Sequence, residues 1–157
     1  IDEDTFWGTG GGLRLLLGKI EGTFFMTNCD ILVEEDYRLM LEYHMEQNNI
    51  ATMVCAEKKV EIPYGTVEVD ENGRAMALSE KPQFSFLTNT GLYILEPKFL
   101  EKIPSDTFIH ITDVIQKCID EGEKVGVYTV SEDAWLDMGQ LEELDRMKKK
   151  LEMERKL

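Results

Sequence analysis

The spacing of apolar residues along the chain switches between the periods of strands and of helices. Short continuous apolar runs predict buried strands over residues 23–27 and 50–56. Between them, apolar residues recur every three to four positions over 34–48, which predicts an amphipathic helix. Its inward-facing positions are expected to be Tyr37, Met40, Leu41 and Met45.

A hairpin is the next predicted element. Residues 64–69 and 74–79 alternate apolar and polar side chains on either side of Asp70-Glu71-Asn72-Gly73, which is a turn sequence. Apolar and β-branched runs then predict three further strands, over 84–95, 124–130 and 134–137.

Two helices are predicted in the second half of the chain. One covers 111–121, with Thr112 as its expected N-cap and Gly122 as its stop. The other is a charge-rich packing helix over 141–157, where four apolar residues form one stripe: Leu141, Leu144, Met147 and Leu151.

This order of strands and helices predicts an α/β fold. We expect a mixed, mostly parallel sheet flanked by helices, with the hairpin as an antiparallel insertion. The 157 residues fit a single domain over 1–157. Ligands of such sheets bind at the carboxyl ends of the strands, so chemistry is expected there.

The composition and charge of the chain exclude some classes of function. The chain has 31 Asp+Glu and 17 Lys+Arg, a net charge of −14, which argues against a nucleic-acid surface. No apolar run approaches the roughly 20 residues of a membrane helix. The cysteines Cys29, Cys55 and Cys118 form no CxxC pair, so a reducing, cytoplasmic setting is expected. The sequence opens at Ile1 on a glycine-rich stretch, so we expect the true N-terminus to be missing.

Two aspartates are candidates for a divalent-cation site. Asp30 follows the strand at 23–27, and Asp137 follows the short strand before the final helix. Carboxylates at strand ends suit Mg²⁺, which takes oxygen ligands and keeps several waters. The alternatives are a turn or capping role for Asp30 and a helix cap for Asp137.

Four other short stretches are candidates for ligand binding. The glycine loop at 8–12 could bring backbone N–H groups to a phosphate or a base, although it matches neither GxGxxG nor a Walker loop. Lys81 could neutralise phosphate and Glu80 could bind sugar hydroxyls, unless they are an ordinary exposed pair. The mid-strand glycine of Asn89-Thr90-Gly91 marks either close approach of a ligand, with Asn89 presenting its amide, or a bulge. Gly65, a glycine at the start of a predicted strand, is a candidate for the same reason, but a weaker one.

Taken in order, these features resemble the sugar-phosphate nucleotidylyltransferases, also called nucleotide-sugar pyrophosphorylases. The strings that carry the resemblance are WGTGGGL, FFMTNCDILV, YGTVEVD, SEKP, NTGLYI, ITDVI and WLDMGQ, and they cover roughly residues 7–143. The NCD and DMGQ forms look most like the branch of mannose-1-phosphate guanylyltransferases or lipopolysaccharide-type sugar pyrophosphorylases. The resemblance implies a Rossmann-like fold of the nucleotide-diphospho-sugar transferase type.

The resemblance also implies substrates and roles. The reaction joins a nucleoside triphosphate and a sugar 1-phosphate and releases pyrophosphate. Asp30 and Asp137 would hold catalytic Mg²⁺, and Lys81 would meet the sugar phosphate. Gly8 and Thr9 would lie by the base. The sugar would be surrounded by Gly65, Glu80, Asn89 and Gly91.

The sequence departs from the family pattern in two ways. Gly10 stands where the family's GTAG loop has alanine, and the family's opening phosphate loop, which carries an Arg and then a Lys, is not in these residues. We therefore expect a catalytic parent protein, a nearly inactive fragment, and an amphipathic tail that allows a homo-oligomer. The alternatives are a non-catalytic nucleotide or sugar-phosphate binding module and, with less support, a nucleotide-sugar glycosyltransferase, which would typically show Asp-x-Asp.

Overall fold

A computed structural model describes residues 5–139, so the helix predicted over 141–157 lies outside the described residues. The helices are α1 (Gly8–Gly11), α2 (Tyr37–Gln47), α3 (Pro97–Glu101) and α4 (Ile111–Asp120). The strands are β1 (Phe24–Thr27), β2 (Ile31–Val33), β3 (Ala51–Glu61), β4 (Thr66–Val69), β5 (Ala75–Ser79), β6 (Gln83–Leu95), β7 (Val125–Ser131) and β8 (Trp135–Asp137). None of the helices within 5–139 is long and apolar enough to cross a membrane.

The central sheet has four strands in the order β1, β6, β3, β7. β1, β3 and β7 run in the same direction, and β6 runs against them. The predicted mixed sheet with flanking helices is therefore confirmed. The expectation of mostly parallel pairing is corrected, because β6 lies between β1 and β3 and makes two of the three neighbouring pairs antiparallel.

Two antiparallel ribbons complete the described strands. β4 and β5 form the predicted hairpin, and its turn is built by the Asp70 carboxylate, which accepts hydrogen bonds from the backbone N–H groups of Asn72 and Arg74. Gly73 adopts a φ of 78°, which glycine tolerates best. The other ribbon pairs β2 with β8 and positions the two candidate aspartates.

The core lies on both faces of the sheet. On one face, Leu92, Ile94 and Val54 pack with Met40 of α2. On the other, Tyr93 and Leu95 pack with Phe99 of α3 and with α4. The alternation of side chains along β6 explains the division, because successive residues of a strand point to opposite faces.

Two of the four residues predicted to face inward on α2 are exposed. Met40 is buried, but Tyr37 is 40% and Met45 61% exposed, while His44 is buried. Residues four apart lie on one helix face, so Met40 places His44 inward with it. His44 can be buried because its ring nitrogens lie 2.8 Å from Thr52 Oγ1 and 3.1 Å from Glu96 Oε1.

The predicted N-cap of α4 is also wrong. His110, and not Thr112, occupies that position, and its backbone N–H donates to the carboxylate of Asp113. The predicted stop at Gly122 is confirmed by its φ of 78° immediately after the helix.

Candidate active site

The β2–β8 ribbon brings Asp30 and Asp137 together. Asp137 is the last residue of β8 and pairs with Ile31, the first residue of β2. The backbone N–H of Met138 donates to the carbonyl of Asp30 at 2.8 Å and extends the ladder by one step. An antiparallel ribbon, not a pair of adjacent parallel strands, therefore joins the two aspartates at the carboxyl side of β1.

Gly139 lies between the two carboxylates. A Cβ at Gly139 would lie 3.1 Å from Asp137 Oδ1 and 3.6 Å from Asp30 Oδ2, so both oxygens face the space that glycine leaves empty. The Gly139 N–H donates to Asp137 Oδ1 at 2.9 Å. Asp137 is half-buried and Asp30 is exposed, which leaves the space open to a ligand from solvent.

A bulge in β6 faces the end of β1. Along the β3–β6 ladder, Val54 pairs with Leu92 but Cys55 pairs with Asn89, so Thr90 and Gly91 have no partners in the ladder. The Thr90 hydroxyl replaces the missing bonds, since Thr90 Oγ1 donates to the Val54 carbonyl at 2.8 Å and accepts from the Leu92 N–H. Of the two alternatives for residues 89–91, the structure shows the bulge.

The bulge packs directly against the chain that leads to Asp30. Gly91 has a φ of 86°, and a Cβ there would lie 2.7 Å from Asn28 Nδ2. The Asn28 N–H donates to the Gly91 carbonyl at 3.1 Å. Gly91 therefore contacts Asn28, which stands two residues before Asp30 and was not among the predicted site residues.

The remaining sugar-site candidates lie at the other end of β6. A Cβ at Gly65 would lie 3.0 Å from Glu80 Oε2, so these two residues are neighbours. Lys81 is exposed and has a φ of 46°. The regular ladder from Gln83 to Asn89 keeps this stretch extended, and at about 3.3 Å per residue it separates these two residues by roughly 20 Å. Lys81 lies two residues before Gln83, so the structure places it at the far end of this stretch from Asn89.

The glycine loop is anchored on the start of α4. The N–H groups of Gly10 and Gly11 both donate to the Ile109 carbonyl, so they are not directed at a ligand as the sequence suggested. Gly8 has a φ of 81°, and a Cβ there would lie 2.6 Å from the Ile109 oxygen. Thr9 Oγ1 accepts from the Ile111 N–H at 3.2 Å.

A cavity of about 830 Å³ opens at the opposite, amino edge of the sheet. Its lining includes His44, Asn49, Glu96 and Thr23, whose hydroxyl donates to Glu96 Oε1 at 2.5 Å. None of the candidate site residues lines this cavity. His44 is hydrogen-bonded on both ring nitrogens, as expected of a packing histidine.

Comparison with known proteins identifies the family to which the chain belongs. The family model described as "Nucleotidyl transferase" matches residues 8–154, so the chain belongs to that family. The uridylyltransferase "UTP--glucose-1-phosphate uridylyltransferase" of Synechocystis sp. is 31% identical, over 85% of this chain and 37% of its own length. The mannose-1-phosphate guanylyltransferase of Mycobacterium tuberculosis is 27% identical, over 93% of this chain and 42% of its own length. The predicted resemblance to sugar-phosphate nucleotidylyltransferases is confirmed.

Solved structures give the same fold. The crystal structure of HddC from Yersinia pseudotuberculosis superposes with a TM-score of 0.67 at 23% identity, over 95% of this chain and 64% of that one. HddC has also been crystallised with GMP-PN, and that structure superposes with a TM-score of 0.68 at 22% identity. The expected nucleotide-diphospho-sugar transferase fold is confirmed. The chain itself spans about two fifths of the length of the curated relatives named above.

Proposed function

We propose that the protein takes part in nucleotidyl transfer from a nucleoside triphosphate to a sugar 1-phosphate, giving a nucleoside-diphosphate sugar and pyrophosphate. The observation that carries the proposal is the convergence of Asp30 and Asp137 on the space beside Gly139, in a chain that belongs to the nucleotidyl transferase family. A mannose-1-phosphate guanylyltransferase-like preference and a cytoplasmic setting belong to the same proposal.

The donor set fits Mg²⁺. The two converging side chains are carboxylates, and Gly139 leaves the space that a Cβ would fill. Within residues 5–139 no group of three or more His, Cys, Asp or Glu side chains could hold a metal. Two protein ligands leave other positions for water and phosphate oxygens, which is how Mg²⁺ is bound in phosphate-transfer sites. When bound, Mg²⁺ would neutralise charge on the phosphates.

The reaction needs positioning more than a protein nucleophile. An oxygen of the sugar phosphate forms a bond to the α-phosphorus, and the bond from that phosphorus to the pyrophosphate oxygen breaks, so no covalent enzyme intermediate is required. The assignment of Asn89 and Gly91 to the sugar, and of Gly8 and Thr9 to the base, rests on the resemblance. The resemblance also assigns Gly65, Glu80 and Lys81 to the sugar and its phosphate. These three residues lie beyond Gln83, which is about 20 Å along β6 from Asn89, so the proposal places only Asn89 and Gly91 at the sugar.

The test combines binding and turnover. We expect the chain to bind a nucleotide sugar, with UDP-glucose and GDP-mannose as probes, only when Mg²⁺ is present. Pyrophosphate release from UTP or GTP with the matching sugar 1-phosphate should be close to background for the chain alone. The phosphate loop that the resemblance calls for is not among residues 1–157. Release at a normal enzymatic rate would refute the expected inactivity.

The same assays on the full-length protein separate the alternatives. A glycosyltransferase would pass the sugar of UDP-glucose or GDP-mannose to an acceptor without forming pyrophosphate. A non-catalytic module would bind the nucleotide sugar and show no exchange of labelled pyrophosphate into it even in the full-length protein, where the proposed function requires that exchange. Failure to bind either probe with Mg²⁺ would count against the proposed function itself.

A further inference from the structure

Two neighbours on β6 hold the Asn89 side chain in one orientation. The Gly91 N–H donates to Asn89 Oδ1 at 3.1 Å, and Asn89 Nδ2 lies 2.7 Å from the hydroxyl oxygen of Tyr93. A backbone N–H can only donate, so the amide atom that faces Gly91 must be the oxygen. The amide nitrogen must then face Tyr93, and it donates to the phenol oxygen.

Tyr93 is a rigid anchor for that amide. It is only 3% exposed, and its ring packs in the core layer with Leu95 and Phe99. Burial raises the pKa of the Tyr93 hydroxyl above its ordinary value, so the phenol stays protonated and neutral near pH 7. Its oxygen therefore accepts from Asn89 without placing a buried charge beside the bulge.

The bonds to Gly91 and Tyr93 leave Asn89 half of its hydrogen-bonding capacity. A carboxamide has two N–H donors and an oxygen with two lone pairs, and the two neighbours take one of each. One N–H and one lone pair remain on a half-buried side chain at the bulge. A sugar hydroxyl both donates and accepts, so it can bind this N–H and this lone pair together.

We propose that Tyr93 is a positioning residue, which orients the Asn89 amide so that it recognises one specific hydroxyl of the sugar. This inference rests on the proposed function, because it takes a sugar 1-phosphate as the ligand beside the bulge. Tyr93 itself does not touch the sugar. It acts through Asn89 and sets discrimination between a sugar and its deoxy analogue.

The experiment measures affinities of the chain in Mg²⁺ for glucose 1-phosphate and mannose 1-phosphate, and for the monodeoxy analogues of the tighter ligand. In the wild type, one deoxy analogue should bind about tenfold more weakly than the parent sugar phosphate. In Tyr93→Phe, the parent should bind about fivefold to tenfold more weakly, and the penalty for that one analogue should fall below about twofold. The matched control is Tyr128→Phe on β7, where Tyr128 packs edge-on against Tyr43, and it should leave every affinity unchanged.

Asn89→Ala provides a second variant that leaves the core residue Tyr93 in place, and it should erase the same deoxy penalty. A uniform loss of affinity for the parent and all analogues in Tyr93→Phe would overturn the positioning role while the proposed function stands. If the deoxy analogue still bound about tenfold more weakly than the parent in both variants, the positioning role would also be overturned. A wild-type chain that binds no sugar 1-phosphate would overturn the proposed function and this inference with it.

Discussion

The carboxylates of Asp30 and Asp137 converge on the position that a Cβ of Gly139 would occupy. Asp137 Oδ1 and Asp30 Oδ2 lie 3.1 Å and 3.6 Å from the position that a Gly139 Cβ would take. The β2–β8 ladder fixes this relationship, because Ile31 pairs with Asp137 and Met138 bonds back to Asp30. Two residues far apart in the sequence thereby form one oxygen-lined space, and three consequences of the surrounding geometry can be measured.

Gly139→Ala should weaken divalent-cation binding without unfolding the chain. The added methyl group would occupy the space between the two carboxylates, so we expect about a tenfold loss of affinity for Mn²⁺, used as a paramagnetic substitute for Mg²⁺. Electron paramagnetic resonance of free Mn²⁺ gives the affinity. Gly22→Ala is the control, because a Cβ there meets nothing within 4 Å. Equal Mn²⁺ affinity in both variants would contradict the geometry at Gly139.

Gly91→Ala should destabilise the fold. A φ of 86° strains any other residue, and the new Cβ would lie 2.7 Å from Asn28 Nδ2. We expect the free energy of unfolding in urea to fall by about 2–4 kcal/mol. Adding Asn28→Ala to Gly91→Ala should recover part of the loss, because it removes the clash but not the strain. A loss below about 0.5 kcal/mol would show that Asn28 does not pack against Gly91 as described.

His44→Leu should lower stability but leave the cation site intact. The substitution removes the hydrogen bonds to Thr52 and Glu96, and Thr52 is fully buried. We expect a loss of about 2–3 kcal/mol in the free energy of unfolding. Mn²⁺ affinity should stay within about twofold of wild type, since His44 lies at the amino edge of the sheet and Asp30 at the carboxyl edge. A large change in Mn²⁺ affinity would instead show that the two edges are coupled.

Local patterns were sufficient for much of this fold. The turn at Asp70 and Gly73 was predictable because the Asp side chain and a left-handed glycine make that turn from neighbouring residues alone. The strands around residues 24–27 and 83–95 follow from their apolar runs. Asp30 and Asp137 could be selected because each stands where such a run ends.

Pairings between distant residues were not predictable in the same way. The sequence around Ile31 gives no local sign that β2 pairs with β8, because register depends on the partner strand. The exposure of Tyr37 and Met45 was not predictable either, because the orientation of α2 depends on the contacts of His44 with Thr52 and Glu96 on other elements. The contacts of Asn28 and Tyr93 were unpredictable for the same reason, although both residues stand close to Asp30 and Asn89 in the strings that carry the family resemblance.

The most direct test of the account is the Mn²⁺ affinity of four proteins: the wild type, Asp30→Asn, Asp137→Asn and the control Glu71→Gln. Each variant removes one negative charge, but Glu71 lies in the exposed turn of the β4–β5 hairpin. We predict one Mn²⁺ site in the wild type, a loss of affinity of at least about tenfold in either aspartate variant, and wild-type affinity in Glu71→Gln. The same affinity in all four proteins would contradict the assignment of Asp30 and Asp137 as the cation site.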